Sequence, residues 1–579
     1  MHRLFKNHHV RKNFYLNYSW DFATDPEREG EKQQWYTTFP KDTSRMFVPG
    51  CWNNEMGLYH YENVAWYKTT FHSDSKNLLI TFHSVTMFCK VYLDGKLLGE
   101  HFGGHTRFRF EVKDLKPGEH TLIVMVDNRH SDALNTIPRE HTDWFHYGGL
   151  FREVEIAELN DAYIKDYKIT YDIEGESIKL KGYAILTNLT KENIKQKLCY
   201  DFNNGTKIHD GEVNLAPGDN KIEFDEKTLT GLALWDLENP ALYNFSITID
   251  DDDVIDRIGF RKLEARDAKI FLNGKPLKLK GVNRHEDHPD WGFALPQKLM
   301  QYDIEILKDL GCNTVRGSHM PYDEAFIDMC DERGILVWSQ IPANWIPPDM
   351  MEKNPVVRAR IMSMLEEMVD RDFHKPSIFV WSLHNECLTY EEGVRGFTVD
   401  LVKKVKSMDT SRLISYTTNY PLTDICFDLV DVACMNIYFG WYKNAHKEET
   451  GLSDGYDSWP RLLEMVEEKF RKSGWSHMPL MVTEYGGEGI YGDTGFESRK
   501  WSEQYQAELL EYITSLLLKT EGITGMYIWQ MTDVRTDKAS DDTRPRSFNN
   551  KGIVNEYRKP KMSYFAIRDL YNAHGNYNE

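Results

Sequence analysis

The spacing of apolar positions changes character along the chain and divides it into three parts. In residues 1–157, short runs alternate apolar with polar side chains, as at 78–82, 89–93 and 120–126, with turn formers between them. Asp94-Gly95, set between Val-Tyr-Leu and Lys-Leu-Leu-Gly, is the signature of a two-residue hairpin turn. This rhythm predicts a β-sandwich. Residues 158–265 keep it, with strands expected near 178–186 and 244–249 and a turn every ten or so positions. A second, smaller sandwich of immunoglobulin-like size follows. From 266 to 579 the strand-like runs become continuously apolar and alternate with helical stretches, the clearest at 356–373 and 501–518. Eight strand runs can be placed, at 278–284, 312–318, 335–341, 378–384, 413–418, 431–437, 478–484 and 524–530. Eight β/α units in that length predict a (β/α)8 barrel. No low-complexity linker separates the parts, so rigid packing between them is expected.

Composition narrows the function classes. The chain has 579 residues, 41% hydrophobic and 28% charged, which suits a multidomain globular protein rather than a single core. A net charge of −20 argues against a nucleic-acid partner and gives no long-range attraction for an anionic substrate, which needs a local cation instead. The eight cysteines form no CxxC pair, so neither a zinc site nor a disulfide scaffold is indicated. No apolar run is long enough to span a bilayer and none at the start resembles a secretory leader. A reducing cytoplasm is the expected setting, and no membrane partner is expected.

Two glutamates carry the chemistry. Glu386 ends the apolar run 378–386, and Glu484 ends the run 479–484. In a barrel, the C-terminal ends of the strands form the mouth where active sites lie. Strands four and seven can therefore present two carboxyl groups to one pocket. A facing pair is the minimum equipment for glycosidic cleavage: one protonated to serve the leaving oxygen, one ionised to attack the anomeric carbon, about 5–5.5 Å apart for retention of configuration. Either glutamate alone would be an ordinary surface residue in so acidic a chain.

The motifs around these residues resemble those of the β-galactosidase and β-glucuronidase family of retaining glycoside hydrolases, family 2. They are Trp381-Ser382 with Asn385-Glu386, Thr483-Glu-Tyr-Gly486, Asn313-Thr-Val-Arg-Gly-Ser-His-Met-Pro321 and Gly281-Val-Asn-Arg-His-Glu-Asp-His-Pro289. In the first part, Val48-Pro-Gly-Cys-Trp52 and Gly103-Gly-His-Thr106 look like the family's sugar-binding domain. The resemblance spans nearly the whole chain. It implies a jelly-roll sandwich, an immunoglobulin-like sandwich and a catalytic barrel, with Glu386 as acid/base and Glu484 as nucleophile. It further implies that Asp143 reaches the mouth and binds sugar hydroxyls, that Asn385 donates to the 2-hydroxyl, and that Tyr438 bonds to Glu484. Tyr442 either joins it or packs, Trp529 floors the sugar, and His319 orders the pocket or simply lines it. His374-Lys375 departs from the usual Asn-His before strand four, at the end of the strand remote from the chemistry.

The choice of sugar rests on Arg544-Pro-Arg-Ser-Phe-Asn-Asn-Lys-Gly552. Asn549 and Lys551 look like the Asn-x-Lys motif with which β-glucuronidases hold the C6 carboxylate. A buried carboxylate needs a charge-assisted donor. A neutral hexose is expected to leave Lys551 unpaired, at a cost of roughly 1–3 kcal/mol or more. The family's additional arginine falls on Pro545 here, and the flanking Arg546 or Arg544 is expected to substitute. The expected substrates are β-glucuronides, with β-galacturonides the nearest alternative, then β-galactosides, and a non-catalytic carbohydrate-binding protein the remaining one. Strand three ends Trp338-Ser-Gln-Ile-Pro-Ala-Asn344 without the carboxylate that holds magnesium in some relatives, so no metal and no cofactor are expected. The short stretch after Trp345 predicts an open mouth. A homo-oligomer is expected from the family.

Overall fold

The computed structural model describes residues 3–202, 205–540 and 543–577. The first part is a sandwich of a six-stranded and a four-stranded antiparallel sheet. Its inner faces close over Trp20, Trp52, Tyr67, Ile80 and Val124. Strands Phe88–Leu93 and Lys96–Phe102 are joined by Asp94 and Gly95, both with positive φ (49° and 77°), as an Asp-Gly hairpin turn requires. The last strand of this sandwich, Val154–Leu159, runs two residues past the expected boundary. It pairs Leu159 with Asn77 in the centre of the four-stranded sheet.

The second part begins with the strand Ala162–Glu174 and packs a three-stranded against a four-stranded sheet, seven strands in all. Its core includes Leu180, Leu198, Tyr200 and Phe245.

The third part is a barrel of eight parallel strands. The fifth and sixth strands close it through a Thr418–Met435 bridge. All eight expected runs form barrel strands, including the fourth, Ile378–Asn385, and the seventh, Leu480–Tyr485. Both strands are buried throughout, because helices cover the outside and side chains fill the inside; hence the continuous apolar runs. The two clearest helices are Pro355–Asp372 and Glu503–Lys519. Asn354 caps the first by accepting from the backbone N–H groups of Val356 and Val357, and Pro355 occupies the first helical position.

The barrel floor and mouth differ in chemistry. An apolar cluster runs from Trp235 and Leu237 of the second part through Leu279, Trp338, Val380, Met481 and Tyr527. Towards the strand ends the interior turns polar, with Asn283, Arg316, Gln340 and Asn385 all fully or almost fully buried.

Buried ionic contacts tie the parts together. Arg152 of the sandwich meets Glu286 at 2.8 Å and Asp323 at 3.4 Å, both beside the barrel. Arg3 bridges Asp256 (3.0 Å) and Asp328 (2.8 Å). Of the pair His374-Lys375, His374 stacks on Tyr167 of the second part, while Lys375 pairs with Asp328 of the barrel.

Candidate active site

The two glutamates meet at the barrel mouth around one arginine. Arg316, on the second barrel strand Thr314–Gly317, has no solvent exposure. Its Nη1 donates to Glu484 Oε1 at 2.6 Å and to Asn283 Oδ1 at 2.7 Å. Its Nη2 donates to Asn385 Oδ1 at 2.7 Å and Gln340 Oε1 at 3.0 Å. Tyr438 donates its hydroxyl to the other oxygen of Glu484, Oε2, at 2.7 Å. Glu386 follows the fourth strand with φ of 49°, a left-handed conformation that turns its side chain out of the strand's alternation. Its carboxyl accepts from Trp345 Nε1 at 2.7 Å and from Asn436 Nδ2 at 2.6 Å. Asn436 also reaches Asn385 Oδ1 at 3.3 Å, so Arg316, Asn385 and Asn436 link one glutamate to the other.

The environments of the two carboxyls differ in their hydrogen-bond donors. Burial pushes both above the ordinary carboxyl range; for Glu386, the neutral donors Trp345 and Asn436 oppose this. Glu484 is pushed up to about 7 by burial, opposed by Arg316 and reinforced by the negative charge of Glu386. That value therefore belongs to the pair. Arg316 acts on both carboxyls but is hydrogen-bonded directly to Glu484.

A ring cluster lies beside this centre. Trp529 stacks on His319 at 5.1 Å and meets His285 edge-on at 5.4 Å, and Trp144 of the sandwich lies 5.3 Å from His319. Burial, then Arg316, holds His319 and His285 well below the usual imidazole range, so both are neutral. Gln340 Nε2 lies 3.1 Å from His319 Nδ1. Trp529 is only 3% exposed, so little of its ring is open to the pocket.

A second charged group forms the other wall. Lys551, with no exposed surface, places Nζ 2.8 Å from the Tyr442 hydroxyl and 3.3 Å from Glu488 Oε1. Arg544 donates to the same Glu488 oxygen and reaches Asp143 at 3.3 Å and Tyr442 at 3.4 Å. Asp143 thus comes from the sandwich to the barrel mouth. Asn549 is fully buried and its Nδ2 has no hydrogen-bond partner among the described residues. The segment is fixed from behind: Val534 pairs with Asn549, and Lys561 donates to Asn550 O at 3.0 Å and Asp533 Oδ1 at 2.7 Å. Gly552 passes so close to the Asp533 backbone that a Cβ would lie 2.1 Å from its nitrogen.

Two expectations change here. Arg544, rather than Arg546, stands with Lys551. Arg546 turns away to Glu556 at 2.9 Å and Asn550 Oδ1 at 2.7 Å, bracing the loop. The anticipated cost of an unpaired Lys551 also falls away, because Glu488 already pairs it; the group left without a partner is the Asn549 amide. Arg316, Asn436, Trp345 and Glu488 belong to the site and were not singled out from the sequence. Arg316 had a legible signal, an arginine inside a buried strand. Among the described residues, no group of three or more His, Cys, Asp or Glu side chains is placed to hold a metal ion.

Three domain matches cover almost the entire chain. Residues 14–160 match the sugar binding domain of glycosyl hydrolases family 2, 162–261 match a further family 2 domain, and 263–575 match the family's TIM barrel domain. The chain belongs to glycosyl hydrolases family 2. This family 2 glycosidase is similar over its full length to a solved GH2 β-galacturonidase from Eisenbergiella tayi bound to galacturonate. The two are 32% identical, with 100% of each chain covered and a TM-score of 0.91. It is 25% identical over 610 residues to a β-glucuronidase of Paenibacillus borealis, covering 97% of each. It is also 26% identical over 566 residues to a putative β-glucuronidase of Formosa agariphila, where 90% of this chain spans 66% of the relative's length.

Proposed function

We propose that this family 2 glycosidase removes terminal β-D-glucuronides by double displacement with retention of configuration. The observation that carries the substrate choice is the buried Lys551 beside the unpartnered Asn549 amide, on the wall of the pocket that holds the two glutamates. A carboxylate supplies what that amide lacks, and a charge-assisted bond to Lys551 besides. Glu386 protonates the leaving oxygen while Glu484 attacks the anomeric carbon, giving a glycosyl ester. Glu386, then ionised, takes a proton from water as the water opens the ester. Arg316 and Tyr438 hold Glu484 in place for attack. The Oδ1 of Asn385 is engaged by Arg316 and Asn436, which leaves its Nδ2 to donate to the 2-hydroxyl. Asp143 receives hydroxyls from the sandwich side, and His319 with Trp529 backs the sugar.

A β-galacturonidase is the second reading, favoured by the full-length similarity to a protein described as one. The two substrates differ at C4, and a seat built on Lys551 and Asn549 reads C6. Aryl β-glucuronide, β-galacturonide and β-galactoside assayed side by side test both readings. At least one uronide is expected to exceed the galactoside in kcat/KM by about 10²-fold or more, the scale on which a buried polar site rejects an analogue lacking its partner. A galactoside preference sinks the uronide reading. Two finer expectations remain proposals: a homo-oligomer, and a reducing cytoplasm, which suits eight free cysteines, seven of them buried. Light scattering on the purified protein tests the first and the compartment of a tagged chain the second; a monomer or an exported protein would overturn them.

A further inference from the structure

The pocket already contains a carboxylate at the place where the substrate's own is expected. Glu488 lies four residues past Glu484, in Gly486-Gly-Glu-Gly489, and is 1% exposed. Its Oε1 accepts from Arg544 and, at 3.3 Å, from Lys551 Nζ. Its Oε2 accepts from the Asn550 backbone N–H at 3.1 Å and from Asn550 Nδ2 at 3.4 Å. Burial alone pushes this carboxyl up, but Lys551 and Arg544 outweigh burial and hold it below the ordinary range. The charges of the cluster therefore cancel: Lys551 and Arg544 against Glu488 and Asp143. A uronate entering this wall meets a neutral cluster rather than a waiting cation. What remains for it are the Asn549 amide and the Lys551 proton used by neither Tyr442 nor Glu488.

We propose that Glu488 is a specificity-determining counter-ion of the carboxylate seat. It keeps Lys551 aimed in the empty pocket, and it limits the grip on a uronate so that the product leaves. The proposal rests on the uronide reading above. Substrate, transition state and product all carry the same C6 carboxylate, so repulsion from Glu488 acts on all three alike. Such uniform terms move KM and product affinity together and leave the chemical barrier alone. Glu488 is a positioning residue by this account, and its signature is a split between binding and turnover.

The test is Glu488→Gln in the full-length enzyme, which keeps an acceptor oxygen for Lys551 and removes the charge. Free glucuronate and galacturonate serve as product inhibitors, and aryl uronides and an aryl galactoside as substrates. The inhibition constant for the uronate and the KM for the preferred uronide are expected to fall together, at least fivefold. The kcat on that uronide stays level or drops, and the KM for the galactoside does not follow. Glu488→Asp, which draws the carboxylate back from Lys551, shifts both constants in the same direction by less and serves if the glutamine variant does not fold. The proposal is overturned if either folded variant raises both constants or leaves them within twofold of the parent. A parent enzyme that prefers the galactoside and ignores free uronate overturns the uronide reading itself, a separate outcome.

Discussion

At the scale of single residues, the glutamate pair sets a pH dependence whose sign can be worked out. On the proposed assignment, activity needs Glu484 ionised and Glu386 protonated, so kcat/KM rises as the first proton leaves the pair and falls as the second leaves. Burial lifts both carboxyls above the ordinary carboxyl range, so both limbs are expected to lie higher in pH than for exposed carboxyls. Glu386→Gln should flatten that descending limb and lower turnover about 10²–10⁴-fold, with less loss on substrates whose leaving group needs no proton. A variant that keeps the parent's descending limb would remove Glu386 from the acid role. Much of this centre was legible in the sequence because both glutamates end apolar runs. Arg316 was not singled out: it sits mid-strand in a motif quoted for its family likeness, and what it touches depends on Glu484, 168 positions away. Glu488 was hidden by its setting, since a glutamate among glycines reads as a solvated loop. Arg544 and Arg546, two positions apart, differ only in which way the loop turns; Arg546 takes a positive φ of 63°.

At the scale of elements, the strand periodicity carried the barrel and both sandwiches, since it follows directly from which faces are covered. What periodicity could not convey was how the sandwich loop before Val154–Leu159 reaches the barrel. That loop is held at Arg152, which is 3% exposed and donates to the carbonyls of His105 and Pro321 (both 3.0 Å) as well as to Glu286. Arg152→Ala leaves Glu286 and Asp323 buried without that cation. Breaking a buried pair in this way costs about 3–5 kcal/mol. Denaturant unfolding of the variant should show a loss of that size. Unchanged stability would mean that the contact is dispensable.

For the whole molecule, charge is the deciding property. A net charge of −20 repels an anionic glycoside at long range, although the pocket wall itself is neutral. Salt screens such a field over roughly 10 Å at 0.1 M. Raising ionic strength from 0.01 to 0.15 M should therefore increase kcat/KM for the uronide, by up to about threefold on the usual scale of surface electrostatics. The galactoside should barely respond. A decrease for the uronide would reveal an attractive local field that outweighs the overall charge. No helix among the described residues is long and apolar enough to cross a membrane.

Asp143 stands against Arg544, 401 positions further along the chain. Excising the C-terminal half as a minimal catalyst would thus strip away one side of its own cavity. Any attempt to shorten, shuffle or transplant this enzyme has to carry both halves, since neither half alone encodes a complete sugar cavity.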